Sequence, residues 1–236
     1  MTDPKRILAI APHPDDETLG CGGTMLMERA AGARLFWLIV TDMTEAAGFS
    51  SERIATREQE ITAVGAAYGV EKTFRLGFAA AMLDAVPKAD IVAAIGRIVR
   101  QVQPTDVYLP FRRDGHSDHT AVFDAGAAAT KWFRYPSVLR VLAYETPSET
   151  DFDLNPDSPG FRPNVFVDIS SMIDQKLAIA QNFESEFGAH PFPRSFDGAR
   201  ALAIVRGAAS GFHAAEAFML LRERIPATRA LGGENV

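Results

Sequence analysis

The chain has 236 residues, 47% of them hydrophobic, which is enough to bury the core of one large α/β domain. The formal net charge is −6 and Lys and Arg are scattered, so nucleic acid is not an expected partner. No apolar run reaches the length of a membrane span, and the start of the chain lacks the charged-then-apolar pattern of a signal peptide. The single cysteine, Cys21, excludes an internal disulfide and suits the reducing environment of the cytoplasm.

Short apolar runs alternate with segments of helical periodicity along the chain. Strands are predicted at 7–11, 34–40, 73–76, 106–109, 138–144 and 164–169. Helices are predicted at 25–29, 57–68, 88–102, 120–132, 171–187, 199–209 and 214–224. This alternation predicts a single α/β domain over residues 1–236. It would be a Rossmann-like, mostly parallel sheet flanked by helices, with a helical extension at the carboxyl end.

Two segments without periodicity are expected to shape a binding pocket. Residues 44–51 are too long for a simple turn, and residues 146–163 are rich in Pro, Asp and Ser. Loops of this length in a compact domain are often functional. Glu145 and Arg194, near the ends of predicted loops, are candidate substrate contacts.

The first predicted strand ends in His13 and Pro14, followed by the carboxylates Asp15, Asp16 and Glu17. Burying three acids together is unfavourable unless a cation or a proton offsets their charge. The carboxyl end of a buried strand is where open α/β sheets place their sites. Pro14 fixes φ between His13 and the acids, so a histidine and an aspartate can face one cation from a tight loop. The pattern therefore indicates part of a metal site.

A second cluster of polar residues, 113–119, follows the predicted strand 106–109 and contains His116 and His119. Two protein ligands hold a catalytic metal poorly, and this cluster can supply a third. Because the carboxyl ends of parallel strands meet at one edge of a sheet, we expect the two clusters to lie close together.

These two motifs resemble the signatures of the PIG-L/LmbE-like zinc deacetylases, a family that removes acetyl groups from N-acetylglucosamine moieties and related amino sugars. The resemblance spans nearly the whole chain, through residues 12–17, 57–58, 76–77, 84, 116–119, 164–176 and 215–218. It implies a zinc-dependent N-deacetylase, an amidohydrolase acting on the linear amide bond of a small N-acetylated sugar or glycoconjugate.

Carried over residue by residue, the resemblance implies that His13, Asp16 and His119 hold Zn²⁺, although Fe²⁺ or another divalent cation would fit the same ligands. Spacing alone left the choice of aspartate open, because a strand-like continuation would place Asp15 on the face of His13. The resemblance makes Asp15 the general base that activates a zinc-bound water. A homo-oligomer is compatible with the sequence.

The resemblance also implies three supporting roles. His116 is expected to stabilise the transition state, Arg57 to contact substrate, and Asp84 to orient His116. The chain departs from the family pattern where Ser117 replaces a proline and where Asp114 replaces a tyrosine found in some members.

Three alternatives stay open on the sequence. Asp118 could support His119 or cap the following helix, and the cap is favoured. Two histidines and a carboxylate also form the triad of mononuclear iron oxygenases, although those enzymes generally use all-β scaffolds. The run Gly20–Gly23 could instead be a phosphate loop of a nucleotide-binding module, but it lacks the GxGxxG spacing.

Overall fold

The computed structural model of the protein describes residues 4–227. The strands are β1 Arg6–Ala11, β2 Arg34–Asp42, β3 Lys72–Ala79, β4 Asp106–Pro110, β5 Arg140–Tyr144, β6 Val165–Asp168 and β7 Ala215–Glu223. The helices are α1 Asp16–Ala30, α2 Ser51–Tyr68, α3 Lys88–Val102, α4 Ser117–Ala128, α5 Ile173–Ala180 and α6 Phe196–Ala208. The predicted α/β class is confirmed. Across the described residues, no helix combines the length and the apolar character that crossing a bilayer requires.

All seven strands form one sheet, in the order β3-β2-β1-β4-β5-β7-β6. Strands β1 to β5 are parallel, whereas β7 runs antiparallel to both β5 and β6. The chain winds outward in one direction from β1 and in the other from β4, so the direction of winding changes between these two strands. Open α/β sheets bind ligands outside the carboxyl ends of strands at such a switch point. The two predicted histidine clusters follow β1 and β4, and the fold therefore brings them to this position.

Side chains of β1 alternate between the two faces of the sheet. Ile7 and Ala9 pack in one buried cluster with α1 and α2, whereas Leu8 and Ile10 pack in another with α3 and α4. A third cluster joins α5 to α6 beside the last strands. The central strands are therefore covered on both faces, which holds the loops at their carboxyl ends on a rigid base.

The segment 214–224, predicted as a closing helix, is strand β7, so that prediction is wrong. Its Ala, Glu, Met and Leu residues have high intrinsic helix propensity. In the fold, β5 and β6 pair with its two edges, and Phe218 is fully buried. Tertiary pairing outweighs the local preference here. The helices that precede β7 are α5 and α6, and α5 ends at Ala180, earlier than predicted.

Helix α1 begins at Asp16, earlier than predicted, and includes the glycine-rich stretch. A Cβ added to Gly22 would lie 2.2 Å from the Tyr68 hydroxyl, and one on Gly23 would lie 2.9 Å from Ile169. These glycines allow α1 to approach α2 and the sheet edge closely, and they face the core. The stretch therefore does not form a phosphate loop, and the nucleotide-binding alternative loses its basis.

Candidate metal centre and cavity

The loop between β1 and α1 turns sharply at Asp15, whose φ of 138° lies in a region that non-glycine residues rarely adopt. This turn brings the carboxylate of Asp16 back to the strand end. There Asp16 Oδ2 accepts a hydrogen bond from the His13 backbone N–H at 2.8 Å and lies 3.3 Å from His13 Nδ1. Backbone strain of this kind is concentrated at functional sites.

His119 reaches the same point from the first turn of α4. Its Nε2 lies 3.4 Å from Asp16 Oδ1. One potential ligand atom from each of His13, Asp16 and His119 lies within 4.8 Å of the other two. The structure thus brings together the three residues that the sequence nominated as metal ligands.

The donor set fits a divalent cation. His119 Nε2 is buried and makes no hydrogen bond to any residue in the range 4–227, an arrangement that costs free energy unless a ligand occupies it. Two imidazoles and one carboxylate are the protein ligands of many catalytic zinc sites, in which a further coordination position is left for water or substrate.

Two further aspartates contact His13 and His119. Asp114 Oδ2 accepts a hydrogen bond from His119 Nδ1 at 2.7 Å, and Asp118 Oδ2 lies 3.1 Å from His13 Nε2. Asp118 also accepts backbone N–H bonds from Ala81 and Leu83 at 2.7 and 3.0 Å. Asp118 therefore neither caps α4 nor supports His119, and both sequence interpretations of it are wrong. The only sequence signal for these roles was the presence of two acids among the histidines.

Electrostatics favour a positive charge at this point. Although burial acts to lower it, hydrogen bonds to Asp118 and Asp16 raise the pKa of His13 to about 9. Burial is likewise outweighed for His119, whose pKa is raised well above its usual value mainly by Asp16 and Asp114. Against the effect of burial, the two histidines lower the pKa of Asp16. The carboxylates that raise these pKa values would stabilise a bound cation in the same way.

Asp15 and His116 line a cavity together with His13 and Asp16. Burial, followed by the charges of Asp16 and Glu186, raises the pKa of Asp15 well above its usual value. His116 precedes α4, and its Nδ1 accepts the Asp118 backbone N–H at 3.1 Å. Burial and then His13 lower the pKa of His116. Because Nδ1 accepts, the proton of neutral His116 is on Nε2.

Arg57 contacts the loop between β1 and α1. Its guanidinium donates to the Pro14 carbonyl at 2.8 Å, lies 3.0 Å from Glu60, and forms an ion pair with Glu186. The side chain is 3% exposed, and these contacts engage most of its hydrogen-bond donors. The arginine therefore supports the loop that presents Asp15 while also lining the cavity.

Asp84 lies apart from this group. It is exposed, in a short turn at Leu83–Ala85, and within the described part of the chain no hydrogen bond joins it to His116. The residue that fixes the His116 ring is Asp118, through its backbone N–H. The role predicted for Asp84 stays a prediction without a contact to support it.

His13 and Asp16 line a cavity of about 380 Å³, and the fully buried His119 lies next to Asp16. Both predicted pocket loops contribute to the cavity, through Phe49 and Glu149. Its other charged lining residues are Asp42, Arg53, Arg57, Glu186 and Arg194. Sequence reasoning anticipated Arg194 but missed Arg53, Glu149 and Glu186, because those residues lie in helices and loops with no motif of their own.

Glu145 is not part of the cavity wall. Its carboxylate accepts two hydrogen bonds from the guanidinium of Arg206 in α6, at 2.8 and 2.6 Å. The predicted substrate contact is therefore replaced by a structural ion pair between the end of β5 and a surface helix.

Comparison with known proteins agrees with this geometry. The family model described as "PIG-L: GlcNAc-PI de-N-acetylase" matches residues 8–130, about half of the chain and the part that carries both histidine clusters. A solved structure of the conserved protein TT1542 from Thermus thermophilus superposes with a TM-score of 0.75 at 26% identity, covering 96% of this chain and 99% of the other.

Two relatives have named activities. Diacetylchitobiose deacetylase of Thermococcus kodakarensis is 29% identical over 232 residues, covering 92% of this chain and 83% of its own. The 1D-myo-inositol 2-acetamido-2-deoxy-alpha-D-glucopyranoside deacetylase of Nakamurella multipartita is 31% identical, covering 67% of this chain and 66% of its own. With the family model matching more than half of its length, the chain belongs to the PIG-L family.

Proposed function

We propose that the protein is a metal-dependent deacetylase that hydrolyses the acetamide of an N-acetylated amino sugar. The observation that carries this proposal is the group His13, Asp16 and His119, of which His13 and Asp16 line a cavity together with Asp15 and His116. Within that group, His119 Nε2 has no hydrogen-bond partner among the described residues. The names of the family and of the relatives support the same class of reaction.

The three ligands would hold a divalent cation, for which Zn²⁺ is the proposed identity. When bound, such a cation polarises a carbonyl group and lowers the pKa of a water molecule from its bulk value of about 15.7. The protein supplies the ligand geometry, and it leaves the cavity side of the group open to substrate.

The remaining groups move and hold protons. Asp15 accepts a proton from the attacking water, since a carboxylate beside a cation stays ionised. His116 donates a hydrogen bond from Nε2 to the oxyanion that forms when water adds to the acetyl carbonyl. Cleavage of the C–N bond then releases acetate and a free amine, and the proton on Asp15 is available to that amine.

The cavity suits a sugar. Its volume of about 380 Å³ lies in the usual range for small-molecule sites, roughly 300–1,000 Å³. Arg53, Arg194 and Glu149 offer hydrogen-bond donors and acceptors to hydroxyl groups, and Phe49 offers an apolar surface.

The oxygenase alternative has less support. It rests on the same triad, but the triad here lies on an open, mostly parallel sheet rather than an all-β scaffold. The family match points to amide hydrolysis instead.

The test is amine release from a panel of N-acetylated sugars and their glycosides by the zinc-loaded protein, with acetate measured in parallel. We expect equal amounts of amine and acetate from at least one acetamido sugar. Release of neither product across the panel, from a protein shown to contain one zinc per chain, would contradict the proposal.

A further inference from the structure

Asp114 occupies the position at which some family members carry tyrosine, and the hydrolytic steps above give it no task. Its side chain is fully buried, and both of its oxygens are engaged. Oδ2 accepts from His119 Nδ1 at 2.7 Å, and Oδ1 accepts from the Thr150 hydroxyl at 2.6 Å. The carboxylate therefore connects a metal ligand to residue 150, which lies 36 positions further along the chain.

The directions of these hydrogen bonds form one consistent series. The Thr146 backbone N–H donates to Thr150 Oγ1 at 2.8 Å, which leaves the single hydroxyl proton of Thr150 to point to Asp114. When Asp114 is ionised its carboxylate only accepts, and His119 Nδ1 then carries the proton of the second bond. The neutral imidazole then has its lone pair on Nε2, the buried atom without a hydrogen-bond partner in residues 4–227.

We propose that Asp114, held by Thr150, is a positioning residue. It keeps His119 in the tautomer and ring orientation that present Nε2 to the cation shared with His13 and Asp16. The inference rests on the metal centre of the proposed function, and it adds the 146–152 loop to the groups that determine metal affinity.

The same contact ties the cavity wall to the metal centre. The Gly115 backbone N–H donates to the Glu149 carbonyl at 2.9 Å, immediately beside the Asp114–Thr150 bond. Glu149 lines the cavity. Two hydrogen bonds from adjacent residues thus join the 146–152 loop to the loop before α4, so the substrate wall and the position of His119 depend on each other.

The test is cation binding to the metal-free protein, which needs no substrate. Zn²⁺ affinity is measured by competition with a chelator, and the visible absorption of bound Co²⁺ reports ligand geometry. Loss of a carboxylate behind a metal-binding histidine typically costs about 10- to 100-fold in metal affinity, and we expect a loss in this range for Asp114→Asn with an altered Co²⁺ spectrum. Thr150→Val should show a smaller loss, and Thr150→Ser, which keeps the hydroxyl, should restore wild-type affinity.

Asp124→Asn is the matched control, because Asp124 lies on α4 and pairs with Lys88 and Arg112 at the surface. It makes the same change of charge without touching a ligand, and it should bind both cations as the wild type does. If Asp114→Asn fails to fold, the comparison of Thr150→Val with Thr150→Ser decides.

The outcomes separate this inference from the proposed function. Wild-type affinity and an unchanged Co²⁺ spectrum in Asp114→Asn, or equal affinities in the two Thr150 variants, would overturn the positioning role and leave the deacetylase proposal intact. Wild-type protein that binds neither cation would overturn the metal centre itself.

Discussion

Asp15 and Asp16 are neighbours in the chain but lie in opposite electrostatic environments. Asp16 faces His13 and His119, which hold its carboxyl pKa low despite burial. Asp15 points into the cavity, where burial and the charge of Asp16 raise its pKa. Adjacent carboxyl groups whose pKa values are pushed apart mark different chemical roles. The difference is the one that the proposed function requires, with Asp16 as a ligand and Asp15 as a proton acceptor.

Replacing Asp15 with Asn separates these roles. The amide cannot accept the proton of water, and general-base catalysis contributes about 10²- to 10⁴-fold, so kcat should fall by that factor. The three ligands are untouched, and bound zinc should stay at one per chain. Steady-state kinetics and metal analysis on the same sample provide the measurement. Undiminished kcat would remove Asp15 as the base.

The two histidines of the second cluster should respond differently to truncation. His119→Ala removes a ligand and should lower metal occupancy after dialysis. His116→Ala removes a hydrogen-bond donor and should keep the metal while kcat falls by about 10²- to 10³-fold. Metal content per chain and kcat, measured on both variants, distinguish them. A His116→Ala protein that loses its metal would require the ligand assignment to be redrawn.

At the scale of single elements, the packing of α1 determines the position of the loop that joins β1 to α1. The Tyr68 hydroxyl of α2 is buried, makes no hydrogen bond with other residues of the 4–227 range, and lies where a Cβ on Gly22 would be. The two helices therefore meet at a point with no spare volume. Adding one methyl group at this contact should therefore lower the stability of the protein.

A double-mutant cycle tests this contact. Gly22→Ala should destabilise the protein by about 1–3 kcal/mol, because overpacking forces a shift of side chain or backbone. Tyr68→Phe should cost little, since the hydroxyl it removes has no hydrogen-bond partner in the described part of the chain. Combined, the two changes should cost less than the sum of their separate effects, because the phenyl ring leaves room for the methyl group. Free energies of unfolding in urea give the four values, and strict additivity would contradict the proposed clash.

Sequence patterns predicted the elements whose hydrophobic period is clear. The predicted α3 has the bounds of the observed helix, and the first five strands were placed correctly to within a few residues. The segment 214–224 failed because its residues favour a helix locally, while its partners β5 and β6 lie far away in sequence. Hydrophobic periodicity describes one segment at a time, whereas β7 forms only because the strands β5 and β6 pair with it.

The same limit applies to the site. His13, Asp16 and His119 belong to two compact motifs and could be nominated from the residues and the family resemblance. Glu149 and Glu186 could not be, because they reach the cavity from loops without a distinctive pattern. A supporting contact between side chains 36 positions apart, such as Asp114 to Thr150, leaves no mark on local sequence.

At the scale of the whole molecule, a buried ion pair between α5 and β7 also holds the first helix, α1. Lys176 of α5 and Glu216 of β7 lie 2.6 Å apart, and each is about 5% exposed. The carboxylate also accepts the backbone N–H groups of Gly23 and Thr24, and the ammonium donates to the Leu19 carbonyl. Helix α1, which begins at Asp16, is thus fixed by β7 and α5.

Glu216→Ala should therefore be strongly destabilising. It leaves the Lys176 ammonium buried without its partner, a loss typically worth about 3–5 kcal/mol. The matched control is Asp174→Ala, which breaks an exposed pair with Arg200 and should cost about 1 kcal/mol or less. Urea unfolding of both variants measures the difference. Equal losses would show that the buried pair has no special role.

The position of β7 also constrains how the chain acquires its shape during synthesis. Among the described strands, β6 bonds only to β7, through residues 215–218, so it has no strand partner until those residues have left the ribosome. The parallel strands β1 to β5 precede β7 in the chain and can associate earlier, but the sheet edge beyond β5 stays open until β7 has been made. Helix α1, which Glu216 holds through the Gly23 and Thr24 backbone N–H groups, would therefore gain its final anchor only after β7 is in place.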